Sequence, residues 1–197
     1  PSNNNMMFSL QQKMFSRSNL GVFFINRQAI RANDFLPEDE KFNRVIGIDY
    51  NLASQDNSWT GKFYAHKSFQ PDDNEGNHSL GVFLGKNTRN FSAFVDAVKI
   101  DEDFTSDLGF IPRTDIIKLV NILEGRIWPK KGIVNNYQAQ VFNEVIWRPG
   151  LDFDLTDHAI SLETTAEFKS LEQLSAQFSR RYVFLTDEFE PTGNDGA

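Results

Sequence analysis

The chain has 197 residues, enough for one domain, with 40% hydrophobic residues, 19 Phe and a net charge of −7. That apolar content can bury a sizeable surface and excludes a disordered chain, while the acidic balance and the lack of a Lys/Arg cluster argue against nucleic acid as a partner. The composition shows Cys 0, so disulfide frameworks, thiolate nucleophiles and cysteine-bearing zinc sites are excluded.

Apolar runs are short, Gly21 to Ile25 among the longest, and no transmembrane helix is written into the sequence. A strand-built membrane protein passes the same hydropathy test, because its apolar residues occupy only alternate positions. The chain opens Pro1-Ser-Asn-Asn-Asn, with no start methionine and no signal-peptide pattern. It closes on a polar tail from Asp187 rather than an aromatic-ended strand. We therefore expect a piece of a longer secreted precursor, truncated at both ends and lacking its signal peptide.

Period-2 alternation recurs along the whole length and helical periodicity is nearly absent. In chain order, Phe8, Leu10 and Met14 alternate with Ser9, Gln11 and Lys13; Leu20, Val22 and Phe24 begin a segment that is apolar on both faces. Ile46, Ile48, Tyr50 and Leu52 alternate with Gly47, Asp49 and Asn51, and Trp59, Gly61, Phe63 and Ala65 with Thr60, Lys62, Tyr64 and His66. Leu80, Val82 and Leu84 follow, then Phe91, Ala93, Val95 and Ala97. Ile117, Leu119, Leu123 and Ile127 oppose Lys118, Glu124 and Arg126, with Asn121 as a misfit. Tyr137, Ala139 and Val141, then Ile160, Leu162, Ala166 and Phe168, then Leu174, Ala176 and Phe178 complete ten segments.

The connections carry a second pattern. Ser16–Ser18, Ser54–Asn57, Thr88–Arg89, Pro129–Gly132 and Lys169–Ser170 are tight; Gln28–Phe42, Gln70–Asn77, Asp101–Arg113 and Arg148–Thr156 are longer and rich in Asp, Asn, Pro and Gly. Short and long connections alternate in an up-and-down membrane barrel, whose periplasmic turns are short and external loops long. A Greek-key sandwich has no reason to alternate so. Most segments reach the roughly 9–11 residues a tilted strand needs to cross a bilayer. Phe15, Trp59, Phe69, Trp128, Trp147 and Tyr182 fall at segment ends, where interfacial aromatic girdles sit.

The fold expected is an all-β, antiparallel up-and-down transmembrane barrel, a partial one of about ten strands, with its polar face inward. Ile46, Ile48, Leu80, Val82, Leu162 and Phe178 should then form one lipid-facing band. Lys62, Lys118, Arg126 and Arg181 would share the inner face with Asp49, Asp96, Glu124, Glu144, Glu163 and Glu167 and form cross-strand ion pairs there.

Candidate chemistry is sparse. The run Asp152-Phe-Asp154-Leu-Thr-Asp157-His158 spaces carboxylates along a loop, as a Ca2+ site requires, but the glycine and terminal Glu of an EF-hand loop are missing and turn-forming Asp explains them as well. Asp72-Asp73-Asn-Glu75 and Asp101-Glu-Asp103 read as solvated loop faces. His66 and His78 lack ligand spacing, and His66 reads as a polar lining residue. Glu163 and Glu167 share a strand face about 13 Å apart at ~3.3 Å per residue, too far for the roughly 5–9 Å of a glycosidase pair. Nucleophile-elbow, phosphate-loop and dinucleotide motifs are absent. The expectation is a protein that is not an enzyme, with no catalytic, metal or cofactor residues.

Several stretches, among them SNLGVFFINRQ (18–28), FNRVIGIDYNLAS (42–54), DEDFTSDLGFIPRTDI (101–116) and LDFDLTDHAISLETTAEF (151–168), together resemble a known family over most of the chain. It is the C-terminal outer-membrane barrel, a domain of unknown function, that follows a carbohydrate-binding family 9-like domain in Bacteroidetes-type proteins. The resemblance implies a bacterial outer-membrane location and an upstream glycan-binding module, and it carries over no catalytic residue. The function expected is a channel, anchor or docking element in carbohydrate handling. Its partners would be outer-membrane lipid, glycan bound through the upstream domain, and other envelope proteins. The alternative is a soluble secreted glycan-binding β-sandwich or barrel.

Overall fold

A computed structural model of the chain describes residues 2–15, 17–30, 37, 41–71 and 75–184. Ten strands follow one another: β1 Asn3–Met14, β2 Ser18–Ala29, β3 Phe42–Ala53, β4 Trp59–Phe69, β5 His78–Asn87, β6 Phe91–Ile100, β7 Ile116–Ile127, β8 Val134–Arg148, β9 Asp154–Phe168 and β10 Gln173–Val183. They make one antiparallel sheet in sequence order, each strand bonded to its neighbours in the chain. The expected all-β up-and-down architecture is therefore present. No ladder joins β1 to β10 among the described residues, so the sheet is open and does not close on itself as a ten-stranded barrel.

Directly opposed residues of an antiparallel pair project to the same side, which lets the register be followed across the sheet. Leu10 opposes Val22, Val22 opposes Ile48, Ile48 opposes Ala65, and Ala65 opposes Leu80. Farther on, Leu123 opposes Val141, Val141 opposes Leu162, and Leu162 opposes Phe178. One face is thus apolar from edge to edge. The residues expected to form its band are all exposed: Ile46 51%, Ile48 46%, Leu80 42%, Val82 42%, Leu162 47% and Phe178 71%. Among the described residues no second sheet packs on them; contacts of any extent join only consecutive strands. The other face is the crowded one, with Val45, Ser68, Ser79, Ser92 and Glu124 buried.

Asn121, out of pattern in the sequence, lies on the apolar face opposite Asn143. His158, on the same face, brings Nε2 to 3.1 Å from Asn143 Oδ1. This contact satisfies part of the hydrogen-bonding capacity of the Asn143 amide away from the polar face.

The connections depart from the expected alternation at one place. The 54–58 and 88–90 turns are tight and the 70–77 and 101–115 connections longer, but the link between β8 and β9 is only 149–153, no longer than the 128–133 turn. Both flanking strands extend to 15 residues. A register shift at Ile146/Trp147 admits Thr156 as a bulge residue, so Asp154 and Thr156 lie on β9 rather than in a loop. Alternation of hydrophobicity does not survive a bulge, which is why the sequence pattern stopped short.

Candidate functional site

The polar face holds every one of the charged residues expected on it. Asp49, Lys62, Asp96, Lys118, Glu124, Arg126, Glu144, Glu163, Glu167 and Arg181 all share its parity. Their pairing is local. Lys62 Nζ lies 3.8 Å from Asp49, Arg126 pairs with Glu124 on its own strand, and Gln138 Nε2 donates to Glu124 at 2.6 Å. Glu167 accepts from Asn136 at 2.6 Å and Asn135 at 3.2 Å. Among the described residues Asp96, Lys118, Glu144, Glu163 and Arg181 form no ion pair. The expected network is therefore a set of separate pairs, with uncompensated charge left along β6–β10.

An aromatic platform lies beside these charges. His66 Nε2 is 3.2 Å from Asp49 Oδ1, its ring stacks on Tyr64 at 4.6 Å between centroids, and Phe23 meets it edge-on at 4.9 Å. Two glycines make this possible. Gly47 opposes both Phe23 and His66, and Gly81 opposes Tyr64. A Cβ built at either glycine would fall inside contact distance of those rings. The rings lie flat on bare backbone, a cross-strand arrangement that lends packed area to strand glycines. His66 does face the polar side, as its alternation with Lys62 and Tyr64 indicated. That it pairs with Asp49, a strand away, was not readable without the register.

The 101–115 connection forms a strap. One end is tied to the early strands: Arg27 Nε donates to Asp107 at 2.6 Å, Asn43 Nδ2 to Thr105 Oγ1 at 3.0 Å, and Asp107 N to Asn43 Oδ1 at 3.1 Å. Thr105 N adds a bond to Ser68 Oγ at 3.2 Å. The other end is tied to the late strands, through Arg113 to Asp157 at 2.7 Å and Gly150 N to Asp115 Oδ1 at 2.9 Å. Arg27, Asn43, Ser68 and Asp157 belong to the polar face, so the strap spans that side from β2 to β9, with its own Phe104 buried.

The acidic runs serve this framework. Burial alone would raise Asp101, but bonds from Lys99 at 2.8 Å and from His78 hold its carboxyl below the ordinary range. Asp103 bonds through its backbone to Gly76 and Gln70. Asp72 and Asp73 lie outside the described residues. Asp152, Asp154, Asp157 and His158 do not converge: Asp157 is taken by Arg113, while His158 turns to Asn143 on the opposite face. Among the described residues no group of three His, Asp or Glu is placed to hold a metal ion. No helix among them is long and apolar enough to cross a membrane, which says nothing of crossing by strands.

An open meander of long strands with one exposed apolar face and one polar face under a strap defines the class. The chain belongs to the family of the domain of unknown function DUF5916, which matches residues 1–196. No curated protein and no solved structure matches it.

Proposed function

We propose that the domain is a wall segment of a transmembrane β-barrel in a bacterial outer membrane, acting as a channel, anchor or docking element in carbohydrate handling at the cell surface. The observation that carries this reading is the apolar face, which runs across all ten strands and leaves Leu10, Ile48, Leu80, Leu123, Leu162 and Phe178 exposed. Water would leave that face strongly unfavourable, since exposed apolar patches on soluble monomers rarely exceed a few hundred Å2. Strands of 10 to 15 residues are long enough to cross a bilayer. Trp59, Phe69, Trp147 and Tyr182 share the apolar face near strand ends, at the depth of an interfacial girdle.

The free edges of β1 and β10 would each present unpaired backbone groups to lipid, at several kcal/mol per group. In this reading further strands complete the wall. The polar face then lines the lumen and the strap narrows one mouth. A C-terminal position behind a carbohydrate-binding family 9-like module, in Bacteroidetes-type proteins, is the setting that the family resemblance suggests.

The test is extraction of the full-length protein from its native host. Sedimentation with outer membranes, release only by detergent, and a gel mobility that changes on boiling are expected. A protein recovered in the soluble fraction without detergent would overturn the reading in favour of a secreted glycan-binding β protein.

A further inference from the structure

Strand register divides the polar face of β8, β9 and β10 into rows of opposed residues. Toward the tight turns, one row runs Asn136, Glu167, Gln173 and the next Gln138, Thr165, Ser175. Side-chain bonds hold both rows. Asn136 donates to Glu167, Gln138 donates to Glu124, and the hydroxyls of Thr165 and Ser175 lie 2.9 Å apart. Toward the strap, Asp157 is taken by Arg113.

Three rows lie between these anchors: Gln140, Glu163, Gln177; then Phe142, Ser161, Ser179; then Glu144, Ala159, Arg181. Among the described residues, none of their polar side chains makes a hydrogen bond or an ion pair within the chain. Gln177, Ser179 and Arg181 stand on β10, where an adjoining strand would reach them. Gln140 and Glu144 stand two strands inside that edge, so a missing neighbour does not account for them.

The rows also leave room. A hollow of about 400 Å3 is lined by Gln140, Phe142, Ser161, Gln177, Ser179 and Arg181, within the roughly 300–1,000 Å3 of small-ligand sites. Ala159 puts only a methyl group between Glu144 and Arg181, and a second hollow of about 120 Å3 opens between those two.

The groups on these rows define the chemistry of an occupant. Carboxylates only accept, a guanidinium only donates, and amides and hydroxyls do both. That mixture matches ligand hydroxyls, each of which donates and accepts. Phe142 supplies a ring for an apolar C–H surface. One more carboxylate than guanidinium disfavours an anion. Glu144 and Glu163 stand on rows four residues apart, about 13 Å at ~3.3 Å per residue, too far to close on one cation.

We propose that these rows bind a neutral carbohydrate, with Phe142 against the apolar side of a sugar ring and Arg181, Glu144 and the Gln140 and Gln177 amides bonding its hydroxyls. The inference rests on the reading above for a polar face open to solvent. It deepens that reading by seating a glycan on this domain itself rather than on an upstream module.

The test measures binding of neutral trisaccharides of glucose, mannose and galactose to the full-length protein by isothermal titration calorimetry, in a detergent without a sugar headgroup. At least one trisaccharide should bind at a site that Arg181→Gln weakens by about tenfold or more, the loss of one hydrogen bond to a charged group. Phe142→Ala should weaken the same site roughly fivefold. Lys86→Gln, on the apolar face of β5, should leave it unchanged. Arg181 is exposed on the edge strand, so Arg181→Gln decides alone should Phe142→Ala fail to fold. No binding across the three sugars, binding that Arg181→Gln leaves unchanged, or equal displacement by an uncharged hydrophilic peptide overturns the inference. A sugar site lost in Arg181→Gln of a protein recovered without detergent would keep the inference and overturn the membrane reading. Unchanged sugar binding by a detergent-dependent protein would do the reverse.

Discussion

On β3, Ile46 and Ile48 stand half exposed while Val45, one residue away, is almost fully buried. The contrast between the two faces runs the width of the sheet. The crowded face holds small residues, flat rings and all the strand carboxylates; the open one holds branched aliphatics, aromatic rims and cations. A soluble sheet with one free face puts its apolar side against a core and its polar side in water. Here the polar side is packed under a strap and the apolar side is bare, an inversion that the proposed membrane setting would account for.

The sharpest way to break the comparison is to charge each face in turn. Ile48→Arg, at the middle of the apolar face, should cost about 2–4 kcal/mol of assembly in a membrane. Asn51→Arg, on the polar face of the same strand, should cost about 1 kcal/mol, the value of its 2.9 Å bond with Asn19. The fraction of each variant running as the folded band on an unboiled gel reads the difference, and equal yields would mean that the faces are misassigned.

Adding a side chain to bare backbone probes the same asymmetry. Gly47→Val would drive a branched side chain into Phe23 and His66, an overpacking worth about 1–3 kcal/mol. Gly125→Val, on the apolar face with nothing within 4 Å of its built Cβ, should be neutral or slightly stabilising. Denaturant midpoints of the two variants should move apart, and a shared shift would show that the rings do not rest on Gly47.

The strap offers a smaller effect. Asp107→Asn removes the charge that Arg27 grips at 2.6 Å; with Asp107 about one third exposed, the loss should be about 1 kcal/mol or less. Limited proteolysis near Leu108–Phe110 should quicken while global unfolding stays unchanged. An unaltered cleavage rate would mean that the Thr105 and Asn43 bonds alone hold the strap down.

Last, the tight-turn end carries one strongly shifted carboxylate. The Ser54 hydroxyl, together with the backbone N–H and hydroxyl of Ser58, lowers Asp56 from 3.8 to about 2. A depressed folded value means that this turn's contribution is fully present above pH 3.8 and is lost as pH falls through about 2. NMR titration of the Asp56 carboxyl should find its midpoint near that lower value, and Ser54→Ala should bring it back toward the ordinary one. A midpoint that does not respond to Ser54→Ala would show the Ser54 bond to be absent in solution.

The sequence by itself determined the strands and their faces, because side-chain alternation is local: Ile46-Gly-Ile48-Asp-Tyr50 states which residues face the same way whatever lies beside them. It also placed His66 and the charged residues on the polar side for the same reason. Tertiary structure alone decided what each of them meets. The pairing of His66 with Asp49, the seating of Phe23 and Tyr64 on glycines, and the split of the expected charge network into separate pairs all depend on strand register. The bulge at Thr156 shifted the strand boundary that alternation had marked. The strap's reach from Arg27 to Asp157, contacts separated by most of the chain, is set by how loops fold back over a finished sheet. No local period records that.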